Sequence, residues 1–468
     1  LTYQDTLATC FNDQVLGKWQ LNLTQLVKRP QTQMVCKTED QIKEIKYITL
    51  ISPNIAIDED GFEGTWTTSW TQSVSIRIGK RSYIFYFDFW RDPDQKEYVF
   101  TNCSRSLNLQ AWYSEDDMSA CFTAVNIQPL IPENINHIKT EDSPYNVKKQ
   151  QVTNKQIIKT VANYSGDKLP KSFDWRNLNN KSYVLKAGDQ DENQCGSCYV
   201  WATTYMMSSR YAIAKNDTKL KKFSVQQMLD CNFYSQGCKG GFVEHVGKYV
   251  QEYGIVEEKF YSPYEKNQQI CKKVPQKKFY FTATEPLGGF VGSQTDPLEI
   301  QWELYRNGPL AVSVLADEKF YEFDPYGLPR HIQQNETDSP HRHYFYSEVN
   351  HAVLLVGWIN EVVNGTEEFF WIIQNSFGAT WGPNNDGSMK IIMGRDAYGI
   401  ESQPVVTYYR ENKIIEAGPG VVGVSVLLVL ILILGVAIIP PILGLKNNKK
   451  PHIELALNEE DTIVTVTE

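Results

Sequence analysis

Gln194-Cys195-Gly196-Ser197-Cys198-Tyr199 is the stretch on which the fold reading turns. A thiol that attacks a carbonyl needs an exposed place at a helix start, where the dipole favours thiolate, and Gly196 lets the backbone approach closely. From Tyr199 to Tyr211 the residues are apolar nearly all round, with Val200, Trp201, Ala202, Met206 and Met207 among them. That pattern predicts a helix buried on most sides, with Cys198 at its N-terminus. Read alone, the six residues equally fit two disulfide ends or a metal pair.

Downstream, Ser224 caps a short predicted helix over 225–231. His351 to Trp358 and Glu368 to Gln374 are apolar strand runs separated by polar turns. A helical half packed on an antiparallel β half leaves a cleft, and clefts between subdomains are common binding sites. Order resumes at Leu169-Pro170-Lys171-Ser172-Phe173-Asp174-Trp175-Arg176, so this domain spans 169–410.

Nine cysteines is an odd number. Cys10, Cys36, Cys103 and Cys121 fall in residues 1–123, where alternation such as Val74-Ser75-Ile76-Arg77-Ile78 predicts an all-β barrel or sandwich. The later domain holds the other five, so one of its thiols stays unpaired. A thiol nucleophile needs a histidine to handle its proton and a third group to orient that histidine. His351 opens one apolar strand run and Asn375 follows the other, in Gln374-Asn375-Ser376-Phe377-Gly378. The order Cys, His, Asn is the arrangement this chemistry uses. His341 and His343 sit in a polar stretch and read as solvated surface, and no metal site is expected.

These motifs, with Gln236-Gly237-Cys238-Lys239-Gly240-Gly241-Phe242 and Asn307-Gly308-Pro309, resemble the papain family of cysteine peptidases across most of 169–409. Asp5-Thr6-Leu7-Ala8-Thr9-Cys10, Leu16-Gly17-Lys18-Trp19 and Ala120-Cys121-Phe122-Thr123 resemble the exclusion domain of its cathepsin C (dipeptidyl peptidase I) branch. The resemblance implies an α+β peptidase of two subdomains behind an all-β exclusion barrel. It implies Cys198 as nucleophile, His351 as general base and acid, Asn375 as its orienter, and removal of dipeptides from peptide or protein N-termini. Implied bridges are Cys10–Cys103, Cys36–Cys121, Cys195–Cys238 and Cys231–Cys271. Gly240, Gly241 and Phe242 are implied substrate contacts, and Asp5 is implied to hold the free amine.

The chain departs from the family pattern in several places. Glu192 stands where the family has the glutamine that stabilises the oxyanion, unless a two-residue insertion gives that place to Gln190. Phe377 replaces a tryptophan that shields the histidine–asparagine bond. Glu244 and Leu287 replace two tyrosines that hold a chloride, so no chloride is expected, and Glu244 implies a preference for basic side chains. Leu1-Thr2-Tyr3-Gln4 precedes Asp5, and the propeptide-like linker, 124–168, is shorter than the family's. The other reading is a catalytically weakened homologue that serves as a membrane binding or scaffold protein.

Residues 421–439 are all apolar or small, and the run reaches Leu445 after Pro440-Pro441. About 20 such residues match a bilayer core, so 419–445 reads as one transmembrane helix. Lys446, Lys449 and Lys450 place the tail, 446–468, in the cytosol, which makes a single-pass type I topology. Seven Asn-X-Ser/Thr sequons, at Asn22, Asn102, Asn163, Asn180, Asn216, Asn335 and Asn364, all precede that run and predict a glycosylated lumenal or extracellular body. A chain starting at Leu1 rather than Met is expected to have lost a signal peptide. A lysosome, vacuole, secretory compartment or cell surface fits, whereas a net charge of −9 disfavours nucleic acid as partner. The family's soluble tetramer does not carry over to an anchored chain.

Overall fold

The computed structural model describes residues 10, 12–30, 34–37, 40–52, 54–69, 72–91, 99–130, 169–288, 295–329 and 349–411. Asp5, His341, His343, most of 124–168, the apolar run at 419–445 and the tail lie outside them. Among the described residues no helix is long and apolar enough to cross a membrane. Leu1–Asn412 form one compact unit.

The N-terminal strands are β1 (Gly17–Thr24), β2 (Val27–Lys28), β3 (Ile42–Ile51), β4 (Ile55–Asp58), β5 (Glu63–Ser69), β6 (Ser73–Ile78), β7 (Arg81–Arg91), β8 (Val99–Glu115) and β9 (Met118–Pro129). Each pairs antiparallel with its neighbour, and β1 pairs with both β3 and β9, which closes a barrel. Closure leaves the two-residue β2, paired with β9 alone, as the open edge among the described strands of the barrel. Alternation fills the interior with Trp19, Leu21, Trp66, Ile76, Tyr83, Phe85 and Phe87. The barrel outruns the expected boundary at residue 123: β9 continues to Pro129 because Ala124 and Asn126 still turn inward and pair along β1. Cys10–Cys103 and Cys36–Cys121 are bridged within it.

The second domain begins at β10 (Phe173–Asp174) and carries α2 (Cys198–Ala214), α3 (Val225–Cys231) and α4 (Val243–Tyr253), the short α1 (Asn12–Val15) belonging to the barrel. Nearly all of α2 is buried. Its polar residues survive there because Thr203, Thr204 and Ser208 donate to carbonyls one turn back, at 2.6, 2.8 and 2.9 Å. Ser224 caps α3 by accepting from Gln227 N at 3.0 Å. Strands β11 (Tyr280–Phe281) and β12 (Glu285–Pro286) lead to α5 (Pro297–Asn307), β13 (Leu310–Val314) and α6 (Glu318–Tyr321). The antiparallel half is then completed by β14 (His351–Val363), β15 (Thr366–Gln374), β16 (Ser388–Ile392), β17 (Val405–Val406) and β18 (Tyr409–Arg410). Helix α2 packs on β14, so the helical and β halves share one core. Cys195–Cys238 and Cys231–Cys271 staple the helical half.

Candidate active site

Cys198, the ninth cysteine, is in no disulfide and is half-buried as the first residue of α2. The turn before it is fixed on both sides. Gly196 N donates to Cys238 O at 2.9 Å beside the Cys195–Cys238 bridge, and Ser197 Oγ lies 2.7 Å from Tyr264 Oη. That Tyr264 hydroxyl donates to Gln190 O at 2.7 Å, so Ser197 donates to it in turn. Beneath, the Trp201 ring fills the space where a Cβ on Gly188 would lie, which lets the 188–190 strand pass close over α2.

In the loop from Gln190 to Gln194 the two candidate side chains meet different surroundings. Gln190 is buried, its Oε1 accepts from Ser376 Oγ at 2.6 Å, and its Nε2 makes only a long contact, 3.4 Å, to Cys195 O. An amide anchored through its oxygen in this way keeps an N–H for the cleft that Gln190 lines beside Cys198. Glu192 turns to the rim, where its Oε2 accepts from Tyr321 Oη at 3.0 Å. Glu192 thus directs its carboxylate to Tyr321, whereas Gln190 is held from Ser376 beside Cys198.

His351 opens β14 and Asn375 directly follows β15, and antiparallel pairing of these strands brings the two to the same end of the sheet. His351 Nε2 donates to Asn375 Oδ1 at 2.7 Å. Ser376 N donates to the same oxygen at 2.7 Å, which fixes the amide orientation, because a flipped amide would oppose two donors. The basic nitrogen of the ring is then Nδ1. Phe377 stacks on the imidazole with centroids 4.8 Å apart, and Trp381 stands edge-on to Phe377 at 5.8 Å. Burial pushes His351 down to about 4, against the opposing effect of its bond to Asn375, so the resting imidazole is neutral. Cys198, His351, Gln190 and Phe377 line one cleft of about 330 Å3.

Residues 169–408 match the profile of the papain family cysteine proteases. The chain belongs to that family. Residues 5–126 match the cathepsin C exclusion domain, so the barrel is that module of a papain-family peptidase. Cathepsin C of Schistosoma mansoni is 27% identical over 457 residues, covering 86% of this chain and 94% of that protein. A viral cathepsin of Spodoptera litura multicapsid nucleopolyhedrovirus is 30% identical over 305 residues, 62% of this chain and 79% of that protein. Dipeptidyl aminopeptidase 1 of Plasmodium falciparum is 28% identical over 314 residues, 51% of this chain and 44% of that protein.

In this papain-family cleft Gly240 and Gly241 form the wall opposite His351, with Val243 beside them. Gly240 has φ +116°, which disfavours any side chain, and a Cβ on Gly241 would meet Ser235 and Tyr199 at 2.5 and 2.7 Å. The exclusion barrel packs at this end. Tyr86 Oη donates to Tyr234 O at 2.8 Å and its ring meets Phe242 and His245, at 6.2 and 5.6 Å. Phe242 is therefore buried under the barrel rather than open to the cleft. Glu244, next on α4, faces a second cavity of about 410 Å3 at the seam, walled by Trp66, Ile76 and Ile84 of the barrel. Burial pushes its carboxyl up to about 7, partly offset by its own backbone amide.

Among the described residues no group of three or more His, Cys, Asp or Glu is placed to hold a metal. Sequence reasoning missed Tyr321, Tyr264 and the bond from Ser376 to Gln190. Tyr321 lies thirty positions before His351 with no motif around it, whereas Ser376 was visible as the neighbour of Asn375.

Proposed function

We propose that this papain-family protein is a membrane-anchored peptidase that removes dipeptides from peptide N-termini in an oxidising lumen or at the cell surface. The 2.7 Å bond that aims His351 within the cleft of Cys198 carries the reading. His351 Nδ1 takes the Cys198 proton, and Sγ attacks the scissile carbonyl. The Gln190 amide and the start of α2 stabilise the oxyanion, His351 protonates the leaving amine, and water frees the dipeptide from the acyl-enzyme. Asn375 keeps the ring in its productive tautomer. The exclusion barrel against the Gly240 wall supports a cut two residues from the N-terminus, with Asp5 as the group for the free amine. The non-catalytic scaffold reading drew on Glu192, Phe377, Glu244 and the apolar run, and the bond of Glu192 to Tyr321 weakens the first of these.

Glu244 lines the seam cavity rather than the cleft of Cys198, so the chloride-free site and the preference for a basic second residue rest on the sequence resemblance alone. Four disulfides and five described sequon asparagines, Asn22, Asn102, Asn180, Asn216 and Asn364, all reachable from solvent, support a glycosylated protein of the endomembrane lumen or cell surface, lysosome included. The apolar run supports the anchor. Three measurements test the proposal. Wild type is expected to cleave dipeptidyl reporters at pH near 5 to 6 and to take up an epoxide thiol probe, both lost in Cys198→Ala. Absence of both in wild type rejects the peptidase reading. Carbonate washing is expected to leave the protein in the membrane pellet unless 419–445 is deleted.

A further inference from the structure

The leaving amine must receive its proton from His351, so the departing segment of the substrate passes over the imidazole flank of Cys198. A continuous row of side chains leads outward there. Phe377 stacks on His351, Tyr321 lies parallel to Phe377 with centroids 6.0 Å apart and an interplanar angle of 2°, and Tyr321 Oη bonds Glu192. The opposite flank, at Gly240, Gly241 and Val243, runs under the barrel and belongs to the acyl side. Lys239 stands exposed at that far end, so the cleft is basic at one end and acidic at the other.

We infer that Glu192 selects peptides carrying arginine or lysine just after the scissile bond, an inference that rests on the peptidase reading above. Its charge is available. Among the described residues its only bonded partner is the neutral Tyr321 hydroxyl, which occupies one oxygen. Asp191, the adjacent carboxylate, is already engaged by Lys266 at 3.0 Å and Gln194 at 2.9 Å. The stacked Phe377 and Tyr321 rings form an apolar row between the His351 imidazole and the Glu192 carboxylate, and Tyr321 is 45% exposed. A long cationic side chain lays its stem along such a row and sets its charged head at the carboxylate. The same carboxylate repels an acidic residue there, and repels a free α-carboxylate, so tripeptides are poor substrates.

Matched quenched peptides that differ only in having Arg, Gln or Glu after the cut test this on the full chain, at low salt where screening is weak. The Arg to Glu ratio of kcat/KM is expected to be about fivefold in wild type, the scale of an exposed ion pair, and near one in Glu192→Gln. In Glu192→Lys it is expected to invert. A ratio that Glu192→Gln leaves unchanged overturns the inference. If wild type cuts none of the peptides, the peptidase reading fails instead, and the same ratio, read as binding anisotropy on Cys198→Ala, decides the role of Glu192.

Discussion

At the scale of single residues, the proposed chemistry rests on a neutral His351 and on the placement of Gln190. Burial alone disfavours an imidazolium, so the ring gains its proton when the Cys198 thiolate or the oxyanion supplies opposite charge beside it. Gln190→Ala is expected to lower kcat roughly 10²–10³-fold with little change in KM, because its amide acts on the transition state rather than on bound substrate. Steady-state kinetics on a dipeptidyl reporter checks this, and an equal change in KM would move Gln190 to ordinary substrate binding. Cysteine parity, His351 and Asn375 were legible in sequence because they sit in motifs whose spacing is local. The register of 190–194 was not. Both Gln190 and Glu192 satisfy the local pattern, and what sets their surroundings apart comes from Ser376, Tyr264 and Tyr321, each contributed by a distant element.

At the scale of elements, α2 and α4 bring the two kinds of environment together. Helix α2 was readable because it is apolar nearly all round, and the close pass of 188–190 over Trp201 explains why no larger residue fits at Gly188. Gly188→Ala is expected to destabilise by about 1–3 kcal/mol, as overpacking does, measurable as a lower denaturation midpoint with unchanged slope. Helix α4 places Glu244 in the seam cavity, an environment its sequence does not announce. The folded carboxyl holds its proton up to about 7, whereas the unfolded chain releases it near 4.5. Folding therefore binds the extra proton between those values, and the native state loses stability as pH rises from 4.5 to 7. Glu244→Gln is expected to be about 1–3 kcal/mol more stable than wild type near neutrality and to converge with it near pH 4.5, by thermal unfolding at both pH values.

At the scale of the whole molecule, the exclusion barrel and the peptidase domain meet across a buried polar cluster. Glu252 on α4 accepts from Ser114 of the barrel at 2.6 Å and from Tyr234 at 2.7 Å, and it pairs with Lys248 at 2.5 Å and with the barrel's Arg29 at 3.5 Å. Burial on its own raises this carboxyl, but Lys248 and Arg29 outweigh it and hold the group at about 2. Its contribution is thus complete above about 4.5 and is lost only as pH falls toward 2, below the acidity of a hydrolase lumen. Glu252→Gln leaves Lys248 and Arg29 buried without their anion, which is expected to cost about 3–5 kcal/mol in thermal or denaturant unfolding. The barrel was legible from strand alternation and an even set of cysteines, whereas the seam was not, since its residues alternate like any half-buried strand or helix face.

The bridge pattern has a consequence for a chain that is cut. Cys10–Cys103 and Cys36–Cys121 close within the barrel, Cys195–Cys238 and Cys231–Cys271 close within the peptidase domain, and none crosses between them. A proteolytic nick anywhere in 131–168 therefore leaves two pieces joined by non-covalent contacts alone, those of Tyr86, Trp112, Glu252 and the Arg77–Glu285 ion pair among them. Such a protein is expected to run as one particle on a native gel and as two bands on a denaturing gel, even without reductant.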